Sequence, residues 1–173
     1  MSDMIPASRA VGEVRMMATQ FAELYYQFVR ELREALGDEG AMRVAQKALY
    51  ARASERARAM VTSAASEGLE RTPENIPRTS DVPYLGWDAS LGRDHCPYGA
   101  AWIKRINAEP WFRPYARLYC DVTDTTRAEE FTGRFSHRLI KNVVLGDDTC
   151  ARTYFEDAAV KAGRRTYAPG EDA

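Results

Sequence analysis

Between Val11 and Leu36 the apolar residues fall into a helical rhythm. Val14, Met17, Phe21, Leu24, Phe28, Leu32 and Leu36 recur every three or four positions, with Glu13, Arg15, Glu23, Arg30 and Glu34 between them. A strand repeats every two residues and cannot hide such a set on one side, whereas a helix can. The segment is therefore read as an amphipathic helix with this stripe toward the core. Gly37 suits a left-handed helix end. Asp38 then has the chemistry of an N-cap for a second helix over 40–65 that stops at Gly68. Its inner stripe is Met42, Ala45, Leu49, Ala53, Ala57, Met60 and Ala64. So much alanine lets a partner helix approach closely, and the tight turn between the two predicts an antiparallel hairpin over 11–68.

The rest of the chain mixes helix and strand. Residues 69–82 are polar and hold Pro73 and Pro77, with Pro83 just after, which predicts an irregular surface connection. Tyr84 to Leu91 alternates weakly around Trp87 and is read as a short strand ending at Gly92. A helix follows Cys96-Pro97, carrying Ala100, Ala101, Trp102, Ile103 and Ile106. After a break at Asn107-Ala108-Glu109, Pro110 opens another with Phe112, Tyr115, Leu118 and Tyr119, which is expected to end near Cys120; 124–133 are mostly polar. Phe135, His137, Leu139, Lys141 and Val143 alternate as a strand with one wet face, Gly146-Asp147-Asp148 is a turn, and Cys150 to Phe155 is the return strand. From 158 the chain reads as a flexible tail. The expected fold is α+β: an N-terminal antiparallel helical hairpin packed with further helices against a small antiparallel sheet, as one domain over 1–173. A chain of 173 residues, 45% hydrophobic, has enough apolar surface for a single core.

Charge narrows the function. A formal net charge of −1 provides no field to draw in nucleic acid or an acidic membrane, and the arginines alternate with Glu, Asp and Ala as on a solvated face. No window approaches the roughly 20 apolar residues of a membrane span, and residues 1–10 carry no secretory signal pattern. An odd number of cysteines, three, argues against a disulfide framework and for a reducing, cytoplasmic location. The amphipathic first helix also offers a face for a homo-oligomer.

All three cysteines lie in one stretch, each in its own cluster: His95-Cys96-Pro97-Tyr98, Leu118-Tyr119-Cys120-Asp121 and Leu145-Gly146-Asp147-Asp148-Thr149-Cys150. A chain that distributes its only thiols this way is expected to bring them together. Cys96 precedes a helix start, where the dipole favours a thiolate. His137, on a half-buried strand, is the better-placed imidazole for proton transfer near neutral pH, and Asp121 is expected to orient it or activate a water. The alternative is zinc: Cys96, Cys120 and Cys150 with His137 make a tetrahedral set, although the Cys-x-x-Cys pair that usually anchors such sites is missing.

Cys96-Pro97-Tyr98 before a helix, Tyr119-Cys120-Asp121 with Asp124 shortly after, then an alternating strand leading to Gly146-Asp147-Asp148-Thr149-Cys150, resembles the L-2-amino-thiazoline-4-carboxylic acid hydrolase family over 81–155. The resemblance implies hydrolytic opening of a small cyclic C=N or amide bond in a heterocyclic carboxylate, with no cofactor. The sequence departs from the family's pattern at Cys150-Ala151-Arg152 and at Thr126-Arg127-Ala128-Glu129, so another cyclic amide or amidine fits as well as the thiazoline. In this scheme Cys96 or Cys120 is the nucleophile, His137 the general acid and base, and Asp121 its partner. Arg117 or Arg138 receives the substrate carboxylate, and Tyr98 stands with them at the substrate. The competing expectation is a non-catalytic small-molecule-binding domain with a structural zinc, similar to 4-vinyl-reductase-type sensor domains.

Overall fold

The computed structural model describes residues 5–80 and 84–169. Asp81, where the family-like region is expected to begin, lies outside them, as do the end of the proline-bearing connection and 170–173.

The helical path Ala7–Glu67 is interrupted at Gly37, whose φ of 70° and ψ of 175° no helix accommodates. It therefore forms two helices, α1 (7–36) and α2 (38–67). Positions symmetric about Gly37 line one groove, Val29 with Ala45, Phe21 with Ala53 and Ala18 with Arg56, so the two helices form the expected antiparallel hairpin. Gly68 ends α2 at φ 64°, its N–H turned back to the Ala64 and Ala65 carbonyls. Asp38 spends its carboxylate on Arg33 at 2.5 Å and on the Tyr115 hydroxyl at 3.2 Å.

The inner stripe of α2 is nearly the one read from sequence: Ala41, Ala45, Leu49, Ala53, Ala57, Met60 and Ala64 are buried. That of α1 is not. Met17, Phe21, Leu24, Phe28 and Leu36 are 66, 45, 55, 62 and 50% exposed, while Ala18, Ala22, Tyr26 and Val29 face the core. The reason lies across the interface, where Trp102 donates its indole N–H to the Ala22 carbonyl at 3.0 Å. Tyr26 meets Phe112 edge to face, with 5.1 Å between ring centroids. Bulky rings on the partner helices demand alanines on α1, so the small face turns in and the large one out.

Those partners are α3 (Pro97–Ala108) and α4 (Arg113–Thr132). Trp102, Ile106, Phe112, Tyr115 and Val122 close the main core against the hairpin. A smaller cluster joins Met60 and Ala64 of α2 to Ala128 and Phe131 of α4 and to Ile76, which a helical turn at Ile76–Thr79 docks in the connection.

Strands β1 (Phe135–Lys141) and β2 (Ala151–Glu156) pair antiparallel, with Ser136 opposite Phe155 and His137 opposite Tyr154. Three expectations are corrected. Tyr84 to Leu91 is not a strand but two 3-10 turns, Tyr84–Gly86 and Ala89–Asp94; Asp88 accepts the Ser90 N–H at 2.9 Å and so favours a turn. Helix α4 does not end near Cys120 but runs on to Thr132, so 124–132 are helical. The tail is held at least to Thr166: Val160 is buried, and Thr166 bonds the buried Glu129 carboxylate through its N–H at 2.9 Å and its hydroxyl at 2.5 Å. Among the described residues no helix is long and apolar enough to cross a membrane.

Candidate functional site

The extra turns of α4 carry the unusual chemistry. Thr123, Thr125, Thr126, Arg127, Glu129 and Thr132 are all buried, a polar load most of which finds partners, although the Thr126 hydroxyl and the Arg127 Nε have none among the described residues. The Thr123 hydroxyl donates to the Tyr119 carbonyl at 2.6 Å and Thr132 to that of Ala128 at 2.7 Å. The Glu129 carboxylate accepts the Ser136 hydroxyl at 2.7 Å and locks β1 onto the helix.

One turn earlier on α4 lies the centre of the site. Asp124 pairs with Arg127 at 3.0 Å and faces Arg152 of β2 at 3.7 Å. Burial opposes ionisation of Asp124, but Arg152 and Arg127, with His137 and Arg56 behind them, outweigh it and hold the carboxyl below the usual carboxylate range. His137 projects from β1 with its Nδ1 3.4 Å from the Thr125 hydroxyl, and its Nε2 is buried with no hydrogen-bond partner among the described residues. Burial first, then the two arginines, lowers this imidazole to about 4 against the pull of Asp124. It is neutral at physiological pH.

The three thiols lie within electrostatic reach of one another here. Cys120 stands four residues before Asp124, on the same side of α4. Burial pushes it well up, and the charges of Asp124, Cys96 and Cys150 push it further. Cys96 caps α3, its sulfur accepting the Gly99 N–H at 3.4 Å, and Cys150 lies 3.9 Å from the Asn142 carboxamide oxygen. Burial raises both thiols as well. Asn142, a position the sequence did not single out, accepts from Cys150 while its amide nitrogen is buried without a partner among the described residues. The three thiols act electrostatically on one another, but none is a reactive thiolate: burial holds all three protonated, and they are free. Among the described residues no three His, Cys, Asp or Glu side chains stand together as a metal site, so the zinc set of Cys96, Cys120, Cys150 and His137 is not assembled.

Other expected residues lie elsewhere. Asp121 binds Arg117 at 3.0 Å and is the last of the charges acting on His137, whereas Asp124 is the strongest and takes the place expected of Asp121. Arg138 points outward and stacks its guanidinium 5.5 Å from the Phe155 ring centre, and His95 contacts the Gly92 carbonyl at 2.9 Å in its own loop. Tyr98 joins an aromatic group with Phe21, Trp87, Trp102 and Tyr119.

Phe21, Trp87, Tyr98 and Tyr119 of that group floor the groove between α1 and α2, which has a volume of about 790 Å³ and is walled by Val14, Leu32, Ala45 and Leu49 with Arg52 and Arg56 on the α2 side. Trp87 lines the groove and lies beside the Cys96 thiol, so groove and thiol share a neighbour. No family model, curated protein or solved structure matches this chain.

Proposed function

We propose that the protein is a hydrolase that opens a small cyclic C=N or amide bond in a heterocyclic carboxylate, a 2-aminothiazoline-4-carboxylate or a near relative, in the reducing cytoplasm. The observation that carries this reading is Asp124, paired with Arg127 and Arg152 and acting on His137, one helical turn from Cys120 on which Cys96 and Cys150 also act.

The arrangement supplies each requirement of ring opening. Arg152, more than a third exposed, is the looser of the two cations on Asp124 and the natural receptor for the substrate carboxylate. Drawing Arg152 toward the substrate relieves Asp124 of positive charge and makes it a better base. Cys120 then adds its sulfur to the C=N carbon while its proton passes through Asp124 to the ring nitrogen. The tetrahedral carbon then collapses by breaking its bond to the ring heteroatom, which leaves with a proton from the exocyclic substituent and so opens the ring; water adds to the S-linked carbon that results, and loss of the Cys120 sulfur, which regains its proton, frees the open-chain product. His137, neutral above about pH 4, orients by hydrogen bonding and carries no charge into the site.

Replacing each cysteine by serine in turn and following ring opening tests the scheme. Cys120→Ser should fall at least about a hundredfold, since a serine hydroxyl is far less acidic than a thiol. Full activity in all three variants excludes thiol chemistry. The groove of about 790 Å³ favours a second reading, a small-molecule-binding domain. Saturable binding of an apolar compound with no turnover of any cyclic amidine or amide would put it in place of the first.

A further inference from the structure

We infer that residues 84–95 form a strap over the Cys96 thiol and that Arg15 of α1 is the latch that holds it shut. Three main-chain carbonyls of the strap accept from this one guanidinium: Gly86 at 2.7 Å and His95 at 3.4 Å from Nη1, and Asp94 at 2.6 Å from Nη2. They lie toward the two ends of the strap, so a single side chain of another element draws both ends onto α1. Gly86 permits the close approach, since a Cβ there would stand 2.8 Å from Val14 Cγ1 and 3.3 Å from Arg15 Cγ.

Apolar burial adds little to this hold. Within the strap Gly86 is buried, Trp87 and His95 are half-buried, and the rest is exposed, Leu85 and Leu91 included. The strap is bonded to itself instead. The Asp88 N–H donates to the His95 carbonyl at 3.3 Å, Leu91 to that of Asp88 at 3.1 Å and His95 to that of Gly92 at 3.1 Å. A segment closed on itself but poor in buried apolar contacts opens as a unit and at low cost.

What it covers follows from the same bonds. The Asp88–His95 link lays Trp87 against the start of α3, where its ring meets Tyr98 edge to face with 5.4 Å between centroids. There it lies beside the Cys96 sulfur while also lining the groove. At the other end the Tyr84 hydroxyl accepts from Arg127, the partner of Asp124, at 3.4 Å. Swinging the strap outward takes Trp87 from between groove and thiol and opens Cys96 to the groove. The inference concerns access to the thiol and holds whether or not ring opening is the reaction.

Alkylation by iodoacetamide at about pH 8, where an opened thiol is partly ionised, tests it, with each cysteine followed by peptide mass spectrometry and folding by circular dichroism. Wild-type Cys96 should react far more slowly than in the urea-unfolded chain. Loss of even one hydrogen bond from a charged donor shifts an opening equilibrium about tenfold, so Arg15→Ala should speed Cys96 at least about tenfold and leave Cys150 within about twofold. Arg15→Lys, a single ammonium in place of the fork, should fall between the two. Gly86→Ala, which wedges the strap off α1 with Arg15 intact, should speed Cys96 as well. A wild-type Cys96 as reactive as in the unfolded chain overturns the inference, as does an unchanged Cys96 rate in the folded variants. Equal acceleration of Cys96 and Cys150 also overturns it, since Arg15 is then a general prop of the fold.

Discussion

The buried imidazole of His137 has a measurable consequence for stability. Only 5% of the residue is exposed, and its lowering from 6.5 to about 4 means that the folded chain resists a proton which the unfolded chain accepts. Stability from this source is complete above about pH 6.5 and is lost as pH falls toward 4, because in that window the unfolded chain binds more protons. The linkage relation gives a loss of about 2 kcal/mol between pH 7.5 and 5 and about 3 kcal/mol by pH 4. Desolvation is the main cause, opposed by Asp124 and reinforced by Arg152 and Arg127. Carboxylates held low by their partners, Asp124 and Glu156 among them, act in the same direction but only below about pH 4.5, where unfolded carboxylates take up protons. Urea denaturation at half-unit steps from pH 7.5 to 4.5 separates the two windows. The wild type should lose stability steadily below pH 6.5, and His137→Gln, which cannot titrate, should be nearly flat down to pH 5. A flat wild-type profile, or a variant as steep as the wild type, would refute the reasoning.

Gly99 lies between two parts of the site: a Cβ there would stand 2.7 Å from Val143 Cγ2 and 3.6 Å from Cys96 Cβ. Gly99→Ala should therefore cost about 1–3 kcal/mol in denaturant titrations and reduce ring opening more than that loss accounts for, since Val143 adjoins Asn142. Glu129→Ala leaves the Ser136 and Thr166 donors without their acceptor, and is expected to cost about 3 kcal/mol, roughly 6–12 °C in melting temperature by calorimetry. Trp102→Ala removes a fully buried ring and its bond to Ala22, with an expected loss of about 3–5 kcal/mol and a strongly weakened hairpin contact by hydrogen exchange.

What the sequence shows and what it hides follow from the same physics. Periodicity located the hairpin, α3 and the β1–β2 pair because their apolar spacing and turn residues are local signals. It chose the wrong face of α1 because that helix has two apolar faces, and a count of large residues favours Phe21 and Phe28 over Ala18 and Ala22. Only the rings of Trp102 and Phe112, more than 75 residues away, decide that the small face packs. The C-terminal turns of α4 were invisible for the opposite reason: Thr125 and Glu129 look like part of a solvated loop until partners from β1 and the segment near Thr166 are in place. At the site, the cysteine clusters were legible as motifs. The choice of Asp124 over Asp121 was not, since it depends on which side of α4 faces β2. Arg127 and Arg152, the two departures from the resembled family's pattern, turn out to be the cations on Asp124.

The most direct test is ring opening of 2-aminothiazoline-4-carboxylate by the purified wild type and by Asp124→Asn, with folding of both checked by circular dichroism. The account predicts turnover by the wild type and a loss of at least about a hundredfold in kcat on replacing the carboxylate, with the fold kept. An Asp124→Asn protein as active as the wild type, or a folded wild type that opens no cyclic amidine or amide, would contradict it.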